Sequence, residues 1–146
     1  MNIPRASLVA LLTTAISYGG WELCSDHLKF QKQVVDTRQE RLRFAAELRL
    51  RSALAGADIS TSGWVQDAQP SWFRRLPRNL LLPETHAWVE IATTDDARRR
   101  HPELREVVTD RDAAWWYNPA TGDLRARIPA SGRSNSNFDL YALVNQ

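Results

Sequence analysis

No charged side chain stands between Arg5 and Glu22, so the start of the chain is its least polar segment. About sixteen residues at roughly 1.5 Å each give a helix of about 24 Å, which approaches the roughly 30 Å hydrocarbon core of a bilayer. Tyr18 and Trp21 suit one membrane–water boundary, and Arg5 suits the cytoplasmic side. The segment predicts a transmembrane helix over residues 1–24, with the remainder of the chain outside the cytoplasm.

Two other interpretations of this run stay open. A basic start and a short apolar run also describe a secretory signal peptide, with a cut site at Ala15-Ile16-Ser17 or Ser17-Tyr18-Gly19. A buried helix of a soluble domain has a similar composition. The retained membrane helix is favoured because the apolar run continues into a helical pattern and not into a loop.

Small residues four positions apart let another membrane helix approach closely. Such pairs occur in the apolar run, and Leu11 lies near its centre. The candidate residues for membrane insertion and lateral assembly are Ala6, Ala10, Leu11, Ala15 and Gly19.

Residues 25–57 contain neither proline nor glycine before Gly56, which favours continuation of the helix. Apolar residues recur at helical spacing and predict a stripe that packs on the rest of the domain. The stripe consists of Val35, Leu42, Ala46, Leu50, Ala53 and Ala57. This segment is expected to be an amphipathic stalk helix.

Residues 58–146 change to short extended runs and turns, which predict a β-rich head outside the cytoplasm. HAWVEIAT at residues 86–93 favours a strand. AAWWY at residues 113–117, then NPATG and DLRARI at residues 123–128, favour a β-hairpin. FDLYALV at residues 138–144 fits either a terminal strand or a short helix. The expected fold is α+β: a long N-terminal helix, membrane-inserted in its first half and amphipathic in its second, packed on a small antiparallel sheet.

Alternation in the second hairpin strand directs Leu124, Ala126 and Ile128 inward and the intervening arginines outward. The head is also rich in tryptophan, which fills a small core or, together with arginine, forms contact surfaces. Both roles remain open for the adjacent tryptophans of the first hairpin strand. The candidate interaction surface is Trp115, Trp116, Arg125 and Arg127.

The sequence carries no motif for catalysis, metal or cofactor binding. His27, His86 and His101 stand alone, without metal-ligand spacing, and no phosphate-binding or nucleophile motif occurs. A small hydrolase would need a convergent catalytic group that the sequence does not indicate. Seventeen acidic residues nearly balance nineteen basic ones, so nucleic acid is not an expected partner. We expect no enzyme activity, cofactor or small-molecule substrate.

The layout of a half-apolar, half-amphipathic helix followed by a small sheet resembles that of the type IV pilin-like proteins. These include pilins, minor pilins and the pseudopilins of type II secretion and mannose-sensitive haemagglutinin pilus systems. AWWYNPATGDLRARIP at residues 114–129 and FDLYALVNQ at residues 138–146 also resemble segments near the end of pilin-like sequences.

The resemblance implies a non-enzymatic structural or assembly subunit of a type IV pilus or type II secretion-related system. Such a subunit would cross the bacterial inner membrane once, with its C-terminal domain in the periplasm. Its partners would be inner-membrane lipid and other pilin-like or assembly-platform membrane proteins.

Prepilins carry a basic segment, a cut site, usually phenylalanine next, and a glutamate a few residues later. Here Arg5 and Ala6 stand at the first two positions, whereas Ser7 replaces phenylalanine and Leu11 replaces glutamate. An uncleaved accessory subunit is therefore the expected form. The alternative function is a secreted or periplasmic ligand-binding domain released from a cleaved signal peptide.

Overall fold

The structure, a computed structural model, describes the backbone of residues 5–54, 58–130 and 134–146 and the side chains of residues 25–54, 58–130 and 137–146. Its helices are α1 (Arg5–Ala53) and α2 (Ser134–Val144). Its strands are β1 (Val89–Ile91), β2 (Glu106–Val107), β3 (Trp115–Asn118), β4 (Asp123–Ala126) and β5 (Ile128–Pro129). The expected α+β class and long N-terminal helix are confirmed.

Two compact units divide the chain, Met1–Gln33 and Val34–Gln146. The second, called the head unit below, contains the C-terminal part of α1 together with the β-strands and α2. The sequence-based segments 1–24, 25–57 and 58–146 follow changes in composition, whereas the contacts place the division inside α1. The second part of the helix therefore folds as part of the head.

Within the head unit, α1 buries one side. Its buried residues recur at alternating spacings of three and four, which is the period of one helix face. They are Val34, Thr37, Arg41, Phe44 and Leu48. The predicted packing stripe was wrong, since Val35, Leu42 and Leu50 are 52%, 53% and 51% exposed. Ala46 and Ala53 are exposed as well, and Ala57 lies outside the described residues.

An aromatic cluster around Phe44 selects the face of α1 that is buried. The Phe44 ring stacks on Trp88 with centroids 5.0 Å apart and meets Phe73 and Trp115 edge-on, at 5.3 Å and 6.0 Å. Both indole Nε1–H groups, of Trp88 and Trp115, donate to the carbonyl oxygen of Pro77. Burial of large rings with satisfied indoles stabilises a small core strongly.

The predicted hairpin is confirmed, since β3 and β4 pair antiparallel with Trp115 opposite Ala126. The wholly antiparallel sheet was wrong. β1 lies parallel to β3, giving the order β1-β3-β4, and a second two-stranded sheet pairs β2 with β5 in parallel. Ile128, expected at the end of the hairpin, belongs to this second sheet. The strand predicted over residues 86–93 is present as the shorter β1.

Two asparagines, the buried Asn79 and the half-buried Asn145, supply hydrogen bonds that such short strands lack. The Asn79 amide donates to the carbonyl oxygens of Ala114 and Arg127, at 3.1 Å and 2.7 Å. Asn145 accepts from the Ala126 N–H at 2.8 Å and donates to its carbonyl oxygen at 3.0 Å. These side chains bond to the backbone in the place of an extra strand. They stabilise the head because a buried amide or carbonyl left unpaired costs about 1–3 kcal/mol.

The ambiguous segment over residues 138–144 is helical and forms part of α2. Tyr141 and Val144 are buried on its inner face. The Tyr141 ring lies 5.1 Å from the Arg105 guanidinium, and its hydroxyl lies 3.2 Å from His101 Nδ1. Burial raises the pKa of Tyr141 to about 12, so the phenol stays neutral and holds the helix by apolar and cation–π contact.

Gly122 closes the hairpin turn with a φ of +74°, and a Cβ there would lie 2.2 Å from Cε2 of Trp64. We expect Gly122→Ala to lose about 1–2 kcal/mol from the left-handed backbone alone and more from the displaced indole. Gly63→Ala is the matched control, because Gly63 has a φ of +84° and open space around it. Chemical denaturation of both variants checks this; equal losses would contradict the packing role of Trp64.

We expect His101 to make the stability of the head unit depend on pH. Burial, followed by the nearby Arg125 and Arg105, lowers its pKa. Below about pH 6.5 the unfolded histidine binds a proton that the folded one resists, so the free energy of unfolding falls as pH falls through that value. We expect His101→Gln to flatten the slope of stability between pH 7 and about pH 5, measured by urea denaturation. An unchanged slope would exclude the effect.

Candidate functional site: an exposed apolar face of helix α1

The tryptophans of the predicted interaction surface lie in the core. β3 is the central strand of its sheet, and all four of its residues are buried. Trp115 is 0% and Trp116 1% exposed. Alternation directs their side chains to opposite sides of the sheet, but both sides are covered. The core-packing interpretation therefore applies, and the expectation that one of them is less buried was wrong.

The predicted outward direction of Arg127 was wrong. It is 4% exposed, its Nη2 lies 2.9 Å from Glu90 Oε2, and its guanidinium donates to the carbonyl oxygens of Leu104 and Ala113. Arg127 therefore ties the two sheets together. Hydrophobic alternation fails here because Arg127 lies between β4 and β5, where the chain passes from one sheet to the other.

Arg125 is also held within the protein. Its side chain is 13% exposed, pairs with Asp123 at 2.7 Å and donates to the carbonyl oxygen of Arg100 at 2.9 Å. Its charge is largely satisfied by these contacts. Of the four residues predicted as an interaction surface, Trp115, Trp116 and Arg127 are therefore buried and Arg125 is half-buried.

The outward side of α1 carries four exposed apolar residues, with Gln39 among them, and this side is called the outer face below. It consists of Val35, Leu42, Ala46 and Leu50, all exposed. At roughly 100° per residue these positions fall within an arc of about 80°, nearly opposite the buried side of the helix. A single exposed apolar residue needs no explanation, whereas several on one side of a helix make that side a candidate interaction surface.

The sequence identifies the residues of the outer face as an apolar stripe, but the prediction that this stripe packs on the head was wrong. Thr37 and Arg41 lower the apparent hydrophobicity of the buried side, and the stripe through Leu42 looked more apolar. Arg41 is buried because its Nη2 donates to the carbonyl oxygen of Gln146. Burial also lowers its pKa. The signal that identifies the buried side is Phe44, the one aromatic residue in the C-terminal part of α1 described in the head unit.

Charge along the edges of the outer face is uneven. On one edge Arg43 pairs with Glu40 at 2.5 Å, a carboxylate that Arg75 also contacts, and Arg43 donates to the carbonyl oxygen of Arg75. On the other edge Arg38 and Arg49 make no hydrogen bond or ion pair with the described residues. One edge is therefore satisfied internally, and the other presents two uncompensated cations.

An open groove of about 340 Å³ adjoins the end of the outer face. Arg49 and Ala53 of α1 form one wall, and Gly63 and Trp64 of the following turn contribute to the other. The groove places an aromatic ring and a cation beside the last turn of the helix. It extends the accessible surface beyond Leu50.

A separate recess of about 230 Å³ lies beside Pro77 and Trp88. Leu82 and Trp115 contribute apolar walls, and His86 also lines the recess. His86 Nδ1 is buried without a hydrogen-bond partner among the described residues. The recess thus offers an apolar floor with one unsatisfied nitrogen.

The remaining predicted site residues lie in the N-terminal part of α1, and their side chains are outside the described residues: Ala6, Ala10, Leu11, Ala15 and Gly19. Within the residues whose side chains are described, no helical segment is both long and apolar enough to cross a membrane. Within the same residues, no three histidine, cysteine, aspartate or glutamate side chains are grouped as metal ligands.

Comparison of the chain with protein-family models, with curated proteins and with solved structures found no match in any of the three.

Proposed function

We propose that this chain is a non-enzymatic, pilin-like assembly subunit of a type IV pilus or type II secretion-related system. In this proposal the uncharged run anchors it in the bacterial inner membrane as an uncleaved single-pass protein, and the head unit lies in the periplasm. Its partners are inner-membrane lipid and other pilin-like or assembly-platform proteins. It acts by contact and not by chemistry.

The observation that carries the proposal is that α1 has apolar residues on two sides, of which only one is buried. One side of the helix, centred on Phe44, is buried in its own head, whereas the outer face leaves Val35, Leu42 and Leu50 about half exposed. A helix that only supported its head would gain nothing from apolar residues there, since their exposure to water is unfavourable. A surface for lateral contact accounts for them.

A second candidate function has one observation in its favour. The recess beside Trp88, with its apolar walls and the unpartnered His86 Nδ1, has the character of a small-ligand site. A periplasmic ligand-binding domain, released from a cleaved signal peptide, would use it. The two candidates differ in whether the mature protein keeps its N-terminal segment.

Membrane anchoring predicts that Leu11→Arg moves the protein from the membrane to the soluble fraction. A charge at the centre of an apolar helix costs roughly 2.5–3.5 kcal/mol on insertion scales. Leu28→Arg is the matched control, because Leu28 is 63% exposed and lies beyond the uncharged run. Fractionation of cells, with the intact mass of the mature protein, checks this. A soluble wild-type protein starting near Gly20 would favour the ligand-binding candidate instead.

Assembly through the outer face predicts cross-links from its centre. A photo-reactive amino acid at Leu42 should capture another protein in cells that naturally produce the chain, because this side chain faces outward. The control carries the photo-reactive amino acid in place of Leu104, which is 57% exposed on the head. It should give at least about tenfold less cross-linked product. Mass spectrometry of the products provides the measurement. Equal capture from both positions would argue against a dedicated surface.

A further inference from the structure

We infer that the outer face of α1 binds an acidic amphipathic helix of another protein. This inference rests on the proposed assembly function and assigns the chemistry of the partner. It is drawn from the shape of the apolar surface, from the charges along its edges and from the disfavoured pairing of two copies.

The shape of the outer face fits a helix. From Val35 to Leu50 the surface is about 22 Å long, and its arc of about 80° is narrow. A helix that lies on a membrane surface needs a broader apolar side, usually with aromatic residues. Ala46, near the middle, lets another helix axis come close, since interaxial distance depends on the side chains at the contact.

The charges along one edge specify the partner as acidic. Arg38 and Arg49 are about 16 Å apart along the axis, and neither makes an ion pair with the described residues. Arg43 on the other edge is bound to Glu40. Carboxylates on a docked helix would reach the two free guanidiniums at the rim of the contact, as charged flanking residues do in paired helices.

A second copy of the chain is a poor occupant for the same reason. In an antiparallel pair, equivalent edges face each other, so Arg38 of one copy would meet Arg49 of the other. In a parallel pair, the edge with Arg38 would face the edge with Arg43, where Glu40 and Glu47 are already paired with arginines of their own chain. Like charges therefore disfavour the antiparallel pair, and the parallel pair offers Arg38 and Arg49 no free carboxylate, so both arrangements select a different partner.

The test measures binding of designed peptides to the full-length chain by fluorescence anisotropy, in lipid nanodiscs if the chain is retained in membranes and in buffer if it is soluble. Three helical peptides of about twenty residues share one leucine and alanine stripe and differ only in flanking residues, which are Glu, Gln or Lys. We expect the Glu peptide to bind at least about tenfold more tightly than the Lys peptide, and salt to reduce the difference.

Two variants make the result specific. Arg38→Glu/Arg49→Glu should reverse the order of the Glu and Lys peptides, whereas the control Arg74→Glu/Arg98→Glu has the same net charge and should keep it. Leu42→Glu should abolish binding of all three. These positions are exposed, so the fold is retained, and circular dichroism verifies it.

Several outcomes would overturn the inference: equal affinity for the three peptides, no binding of the Glu peptide, adsorption of the outer face to anionic vesicles in its place, or a homodimer that Leu42→Glu dissociates. None of them bears on membrane anchoring. Conversely, a protein that is not retained in membranes but still prefers the Glu peptide would refute the proposed function and leave the acidic-helix site standing.

Discussion

The stack of Phe44 on Trp88 fixes the rest of the head unit. It joins α1 to the segment leading into β1, and the edge contact with Trp115 extends the same cluster to the central strand. Two indoles that share the carbonyl oxygen of Pro77 set the orientation of the rings. Because α1 has apolar residues on two sides, this cluster decides which side is buried and therefore which side remains available.

Polar side chains inside the head supply backbone hydrogen bonds that longer strands supply in other proteins. The strands have two to four residues each, and ladders of that length contribute few hydrogen bonds. Asn79, Asn145 and the guanidinium of Arg127 bond to backbone groups between elements distant in sequence. Removing one partner leaves the other buried and unsatisfied, which costs more than the bond itself is worth. These side chains therefore specify the strand arrangement.

Patterns among residues close together in the sequence correctly predicted the hairpin and the long helix. Alternation and the NPATG turn identified the hairpin, and the absence of helix breakers identified α1. The buried side of α1 could not be read in the same way, because Thr37 and Arg41 make it look polar until their long-range partners are known. The parallel pairing of β1 with β3 depends on contacts across the fold. The apolar stripe of the outer face can be recognised in the sequence. Only the position of the aromatic cluster, on the other side of α1, shows that the stripe points outward.

The outer face is difficult to attribute to folding. Leu42 and Leu50 are on the side of α1 opposite Phe44, so exchanging either for a polar residue would remove little buried area from the head. Helix propensity does not require apolar residues there, since glutamate, lysine and glutamine form helices nearly as well as leucine. Beside this stripe, Arg38 and Arg49 keep their charges uncompensated while Arg43 and Arg51 nearby are paired. A second helix with carboxylates at its rim would cover the leucines and neutralise the arginines together, and no contact within the described head does either.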